Sequence, residues 1–449
     1  MSASPFEDQF IERTPVSQQM YERARLVLPG GVAGNGKFLP PYPIYIQSGK
    51  GAELVDVDDN KYIDLLMGGG VHILGHSPKV VLDRVQEQIA EGVHYYMAAE
   101  AEVSMAEKIC HLMPVVEMVR FVNTGSEATQ MALRTARAFS QRDGIAKFEG
   151  NFHGQHEFFL VSTLGTAGPP DLPSAHIDSA GVPGGVVDQT LILPYNNAEI
   201  AVEQITRHAG ELGAVIIEPV SAFGLGVVPA KKYFLKALRE VTARFEIPLI
   251  FDEVVTNFRL GLGGASQYFG VQPDLVSLGK IIGGGFAIGG YGGKREIMEK
   301  VVTPRAGLWD LSTQIFQSGC FSGNPVSMTA GLAVLEELEK GLVNPYIDGL
   351  TQKLAIGLQY LGKQNGLPVQ VNAVASILQI HFGEAEIQNK RDATKMYRTA
   401  ALEFHLGMRA SGVVASYHPL FLSAAHTKEH IQVVLETADK VFGQMKAAR

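Results

Sequence analysis

The chain has 449 residues, long enough for a large core and, by length, two or three domains. Its 46% hydrophobic and 19% charged content fit a folded enzyme and exclude a disordered chain. The formal net charge of −8, from 38 basic and 46 acidic residues, argues against nonspecific nucleic-acid binding.

The N-terminus, MSASPFEDQFIER, has no basic-then-apolar secretion pattern. No apolar run reaches bilayer length, so no membrane association is expected. Two cysteines, Cys110 and Cys320, supply neither a disulfide framework nor zinc-finger spacing and suit a reducing compartment. The expectation is a cytoplasmic enzyme without an anchor.

In chain order, the spacing predicts a short helix over Val16–Val27, ended by Pro29-Gly30-Gly31. A loop rich in Gly and Pro, Val32–Pro43, follows and carries one cation, Lys37. Short strands are expected at Tyr45–Ser48, Ala52–Val57 and Lys61–Leu66, as a small meander. Met67-Gly68-Gly69-Gly70 then opens a loop in which backbone can approach a ligand closely.

From Lys79 helical and strand periods alternate. Helices are expected at Val80–Glu91 and Ala101–Leu112, a strand at Val119–Asn123, and a helix at Ala128–Ser140 opened by Thr124-Gly125-Ser126-Glu127. Further strands fall at Ile145–Phe148, Leu191–Leu193, Ala214–Glu218, Leu249–Asp252 and Leu275–Leu278, with helices at Ile200–His208 and Lys232–Phe245. This alternation implies a mostly parallel sheet covered by helices on both faces. Residues 161–190, rich in Gly, Pro and Ser, lack a period and read as a long functional loop or lid. Beyond Asn324-Pro325 a helix over Val326–Lys340 leads to a region, 341–449, that mixes helices with apolar strands such as Ser376–His381.

The chain is organised around one lysine. Residues 274–293, DLVSLGKIIGGGFAIGGYGG, place Lys280 where an apolar strand-like run meets a glycine block. Burying its ammonium is unfavourable unless the site lowers its pKa, and a lowered pKa makes a nucleophilic amine. Taken alone, a surface lysine snorkelling from a strand end is the plainer reading. A second stretch, PLIFDEV at 248–254, overturns it, because it ends in Asp252-Glu253 one helix-and-strand unit earlier. That is about the separation at which parallel strands become sheet neighbours. An imine-forming lysine with a carboxylate for a pyridinium nitrogen is what pyridoxal phosphate (PLP) requires. Strand alternation does not decide between Asp252 and Glu253 as that carboxylate.

Three further features carry weaker signals. Thr124-Gly125-Ser126 joins a strand to a helix, where amides, dipole and hydroxyl suit a phosphate, although such residues commonly only cap. No Walker A pattern and no early GxGxxG supports a nucleotide instead. Phe152, in Phe152-His153-Gly154, suits either a core or a ring stacked on a conjugated ligand. His153 and His156, with Glu157 beside them, raise a metal reading that lacks a third ligand motif, so no metal is expected.

With Lys280, Asp252, TGSEA and FHG in order, the chain resembles the class-III PLP-dependent aminotransferases. Within them it is most similar to the glutamate-1-semialdehyde aminomutase branch and its relatives acting on D-phenylglycine and β-amino acids. The likeness runs over nearly the whole chain, most densely at LPGGV (28–32), LGH (74–76), TGSEAT (124–129), FEGNFHG (148–154), IEPV (217–220), DEVVTNFR (252–259), LGKIIGGG (278–285) and FSGNP (321–325).

The resemblance implies an α/β, PLP-dependent transferase (aspartate aminotransferase-like) fold: a large domain with a mostly parallel seven-stranded sheet and a smaller α+β domain. It implies an N-terminal segment, 1–66, packing with the small domain, a PLP-binding domain over 67–325, and a linking helix with the small domain over 326–449. Lys280 would hold PLP through an imine and move the proton between substrate Cα and cofactor C4′. Asp252 would keep the pyridine nitrogen protonated, and Gly125 and Ser126 would hold the phosphate. Phe152 and Val254 would sandwich the ring, Glu218 would support its polar edge, and His153 would join the cofactor contacts. Gly319 and Cys320 would reach the phosphate of the neighbouring subunit, so a homodimer with shared sites is expected.

Four positions depart from the aminomutase pattern. Lys37 stands where that enzyme has an arginine for the substrate carboxylate, and a lysine lacks the bidentate fork. Gly69 stands at the position of a tryptophan in the pocket wall. Phe152 replaces a tyrosine and Cys320 a threonine. The implied activity is amino transfer between an amino acid, β- and D-amino acids included, or an amine and a keto acid. The intramolecular aminomutase is the alternative, with a racemase or decarboxylase third. A noncatalytic binding protein on this fold would have lost Lys280 or Asp252.

Overall fold

Seven apolar or glycine-rich runs between residues 118 and 293 assemble into one sheet. They are β1 (Met118–Val122), β2 (Gly144–Phe148), β3 (Thr190–Leu193), β4 (Leu212–Ile217), β5 (Leu249–Asp252), β6 (Leu275–Gly279) and β7 (Gly289–Gly293). Their order across the sheet is β1-β7-β6-β5-β4-β2-β3. The pairs from β6 to β3 are parallel, whereas β7 runs antiparallel to both β6 and β1. The computed structural model describes residues 5–304 and 310–447.

Burial explains why the central strands are apolar throughout. All six residues of β4 and all five of β6 are buried, as expected of strands covered on both faces. One face packs Ile145, Ala214, Ile216, Ile250 and Leu275 against Val122, Ala128, Met131 and Ala132 of the first strand and its following helix. Removing one such side chain to Ala typically costs about 2–5 kcal/mol, which makes this core the main restraint on the strand ends.

β7 was invisible in the sequence for a physical reason. GGYGG has no alternation to read, and only Tyr291 brings a side chain, fully buried. A Cβ at Gly289 would clash with the Thr124 carbonyl, and one at Gly292 with that of Met118. Close backbone approach, not a side-chain pattern, selects glycine here.

The helix after β1 begins at Gly125, earlier than the apolar period suggests. Thr124 accepts from the Glu127 amide at 3.1 Å, and Glu127 accepts from the amides of Asn123 (2.6 Å) and Thr124 (3.2 Å). This reciprocal cap starts the helix while glycine and serine still occupy its first turn. The helix expected over Val16–Val27 is shorter, Pro15–Ala24.

Two compact units result: Lys79–Asn344 with Glu386–Thr394, and Met1–Pro78 with Pro345–Ala385 and Lys395–Arg449. In the second, Ile46–Lys50, Glu53–Asp56 and Lys61–Asp64 form an antiparallel meander, joined in parallel by Val413–Val414. A three-stranded sheet pairs Ile377–Phe382 with Val369–Val374 and Leu420–Phe421. Helices Arg398–Ala410 and Lys428–Ala447 bury Phe404, Val434 and Phe442 against Leu354 and Phe382, with the Phe404 and Phe442 rings stacked at 4.8 Å. Among the described residues no helix is long and apolar enough to cross a membrane.

Candidate active site

The C-terminal ends of β5 and β6 set the site. Ile250, Phe251 and Asp252 pair in register with Leu275, Val276 and Ser277, so the acid and the strand that leads to Lys280 lie side by side. Lys280 follows β6 directly and adopts φ +52°, an uncommon backbone state for a residue with a long side chain. Such strain persists where the surrounding structure over-determines it, and it clusters at functional sites. Lys280 is half-buried. Burial pushes its ammonium below the ordinary lysine value, while Asp252 pulls it back up.

Asp252 is held on both oxygens. Its Oδ1 accepts from Ser277 Oγ at 2.8 Å and from the Val254 amide at 3.1 Å. Its Oδ2 lies 2.8 Å from His153 Nδ1. Burial lowers the pKa of His153, so the neutral ring donates Nδ1–H to the carboxylate. His153 Nε2 is buried with no hydrogen-bond partner among the described residues.

Glu253 points to the opposite face. It accepts from the amides of Ala265 (2.6 Å) and Ser266 (3.3 Å) and from Thr256 Oγ1 (3.1 Å), and burial pushes it up to about 7. The alternation of one strand therefore separates the two acids, and Asp252 is the one that interacts electrostatically with Lys280.

Glu218 follows β4. Its carboxyl accepts from the Phe152 amide at 2.8 Å, from Ser221 Oγ at 3.2 Å and from the Ala222 amide at 3.4 Å. Burial, with the Asp252 charge second, pushes it up to about 8, so it is largely protonated at neutral pH. The Phe152 ring is 37% exposed and tilts against Phe223 at 4.9 Å.

Glycines let these pieces meet. A Cβ on Gly125 would lie 2.8 Å from Val254 Cγ1, and one on Gly279 would lie 3.2 Å from the same atom and 3.6 Å from Gly125 Cα. A Cβ on Gly154 would strike Ser126 Oγ. The helix N-terminus at Gly125-Ser126, Val254 and the strand end before Lys280 thus form one cradle. With Thr124 and Glu127 capping their neighbours, the amides of Gly125 and Ser126 are the helix's leading donors.

Gly319 sits beside this turn: its Cβ would be 3.4 Å from Asn123 Nδ2, and its carbonyl accepts from Ser322 at 3.0 Å. Cys320 is exposed. Lys37 and Gly69 belong to the other compact unit. Lys37 is exposed at the end of a one-turn helix, and Gly69 is exposed with φ +72° and nothing within 4 Å of its Cβ position. His156 stacks on Phe158 at 5.7 Å and lies 3.7 Å from Glu157. Among the described residues no group of three or more His, Cys, Asp or Glu could hold a metal.

Sequence reasoning missed Ser277, Ser221 and Asn151. Ser277 had a signal, a lone hydroxyl within an apolar strand at the register of Asp252. Ser221 sits in a two-residue strand paired with Val228–Pro229 and Asn151 in an irregular segment, and neither had one.

The class-III aminotransferase model matches residues 37–438. The chain belongs to this family. Relatives along its whole length include the glutamate-1-semialdehyde 2,1-aminomutase of Methanopyrus kandleri, 40% identical over 98% of this chain and 99% of that protein. The enzyme of the same name from Archaeoglobus fulgidus is 40% identical over 94% and 98%. Among solved structures, an ω-transaminase from Sphaerobacter thermophilus is 33% identical over 96% and 98%, with a TM-score of 0.89. As a family member the chain is a PLP-dependent enzyme acting on small molecules, and the expected transferase fold is the one observed. Its donor set suits that cofactor: an amine at a strand end, a buried carboxylate, two helix-terminal amides and a half-exposed aromatic ring.

Proposed function

We propose that the chain is an aminotransferase that moves an amino group between an amino acid, β- and D-amino acids included, or an amine and a keto acid. The pairing of β5 with β6, which sets Asp252 beside the strand of Lys280, carries the chemical part of this reading. When bound, PLP supplies an electron sink for charge developing at the substrate carbon. Lys280 would anchor the cofactor and, once freed, would carry the proton between the substrate Cα and the cofactor's C4′. Asp252, oriented by His153 and Ser277, holds a proton on the ring nitrogen. Gly125 and Ser126 bind the phosphate, and Phe152 and Val254 flank the ring. Glu218, in its neutral form, supports the polar edge without adding a second negative charge beside Asp252. We place the enzyme in the cytoplasm, a reading supported by two free thiols. We propose a homodimer in which Gly319 and Cys320 serve the neighbouring subunit's phosphate.

The choice of intermolecular transfer rests on Lys37 and Gly69. An arginine at position 37 would grip a carboxylate with two parallel bonds, whereas lysine offers a point charge. A tryptophan at position 69 would need a positive φ that a bulky side chain rarely adopts. Both departures loosen retention of an intermediate more than they weaken chemistry at Lys280.

A second reading, intramolecular aminomutase, draws on the curated relatives. Their names back that reading more directly than they back intermolecular transfer, while the Sphaerobacter ω-transaminase supports the latter. One assay separates them: the pyridoxamine form of the enzyme is given glutamate-1-semialdehyde with no keto acid. We expect little sustained turnover until a keto acid is added. Rapid, continuing formation of 5-aminolevulinate without one would replace the first reading with the second.

A further inference from the structure

Lys147 lies on β2, one residue before Phe148, and is fully buried. No step assigned above uses it. Burying a lysine is unfavourable where a Met or Leu would pack as well, unless its donors do something an apolar chain cannot. Here the ammonium donates to the Val161 carbonyl and, at 3.0 Å, to Thr163 Oγ1. With that lone pair occupied, the Thr163 hydroxyl turns its own proton toward the carbonyls of Asn151 (2.9 Å) and Phe159 (3.0 Å).

The chain of contacts continues to the cofactor wall. Asn151 Oδ1 accepts from the Glu218 amide at 2.9 Å, and the Glu218 carboxyl accepts from the Phe152 amide at 2.8 Å. The residues on either side of the Asn151–Phe152 peptide are thus tied to Thr163 and to Glu218. Asp178 secures the other side of the same segment, accepting from the amides of Thr163 (2.6 Å) and Gly165 (2.7 Å). Two isolated strand pairings, Val161 with Ile177 and Ala167 with Ser174, fold this part of the 161–190 segment back on itself. Burial pushes the pKa of Lys147 down to about 7, against the attraction of Asp178 and Glu149 and with the repulsion of Lys390.

We propose that Lys147 is a positioning residue: through Thr163 and Asn151 it couples residues 161–178 to the Phe152–Glu218 wall and fixes the surface on which the cofactor ring rests. The inference stands on the reading that Phe152 flanks that ring. It gives the long segment a role as a brace behind the site.

The test compares PLP affinity of Lys147→Met, Thr163→Val, Thr163→Ser and Phe152→Leu, with the visible circular dichroism of the bound cofactor and the Tm of each apoprotein. Thr163→Val removes the relay at constant shape, and Thr163→Ser keeps it. Lys147→Met and Thr163→Val should each raise the PLP Kd about tenfold, the equivalent of one or two lost buried hydrogen bonds, and change the visible dichroism. Thr163→Ser should stay within about twofold of the parent, since the hydroxyl is retained. Should Lys147→Met fail to fold, the Thr163 pair decides alone. Parent-like affinity and dichroism in a folded Thr163→Val, alongside a weakened Phe152→Leu, would overturn the positioning role. An unaltered Phe152→Leu would instead overturn the stacking reading, and the route through Phe152 with it.

Discussion

The two groups of residues assigned to one reaction are held in very different ways. Lys280, Asp252 and Glu218 belong to the unit built on the seven-stranded sheet, at the ends of buried strands whose registers are fixed by side chains on both faces. Asp252 alone has three hydrogen-bonding neighbours within 3.1 Å. Lys37 and Gly69 belong to the other unit and are themselves exposed, each on a one-turn segment. Proton transfer and charge stabilisation need atoms fixed within fractions of an ångström, so they sit on strands. In the proposed reaction, choice of substrate would fall to residues on turns, where looser support is tolerated.

The comparison breaks most completely at Lys280. Lys280→Ala should lower turnover by roughly 10⁴-fold and abolish the borohydride-reducible link to PLP. A variant that still retains covalently bound cofactor after reduction would move the anchor to another lysine. Next in size come the two adjacent acids, which sharpen the comparison within the well-held group. Asp252→Ala should lower turnover by about 10²-fold or more and shift the visible spectrum, because it leaves the ring nitrogen and His153 without their acceptor. Glu253→Gln should leave that spectrum unchanged and act on stability. The folded-state pKa of Glu253 is raised from 4.5 to about 7, so its stabilising contribution is full below pH 4.5 and is lost as pH rises through about 7. Thermal denaturation between pH 5 and 8 should therefore show a shallower decline in Glu253→Gln than in the parent. An identical slope would mean that Glu253 titrates normally.

Legibility in the sequence follows the same division. The apolar runs of β4, β5 and β6 announced a covered parallel sheet because both faces are buried, and Lys280 and Asp252 stood out as charges where apolar runs end. The choice between Asp252 and Glu253 was closed to sequence, since it depends on which face of the strand meets His153. β7 escaped because backbone contact, not side-chain periodicity, selects its glycines. Lys147 escaped because a lysine inside a strand reads as its solvent-facing member until the segment covering it, residues 161–163, is seen. On the substrate side the sequence offered only departures from a resemblance, and exposed turns add few constraints by which to read them.

The smallest expected effect therefore falls on Lys37, and it bears directly on which reaction runs. An exposed lysine paired with a carboxylate contributes about 0–1 kcal/mol, which corresponds to at most about fivefold in affinity. Lys37→Ala should raise KM by about two- to fivefold for substrates bearing a carboxylate and leave kcat nearly unchanged, the pattern of binding lost equally in ground and transition states. Simple amines, which offer Lys37 nothing to attract, should keep their KM. The contrast should shrink as salt is raised, because an exposed pair is screened within about 8 Å at physiological ionic strength. Lys37→Arg extends the argument in the other direction: its planar fork can hold a carboxylate with two bonds, so KM for carboxylate substrates should fall below that of the parent. Measuring KM for an amino acid and for its matching decarboxylated amine, in all three proteins and at two salt concentrations, isolates the carboxylate's share. Equal changes for both substrates would remove Lys37 from substrate recognition and leave Gly69 as the sole departure favouring intermolecular transfer.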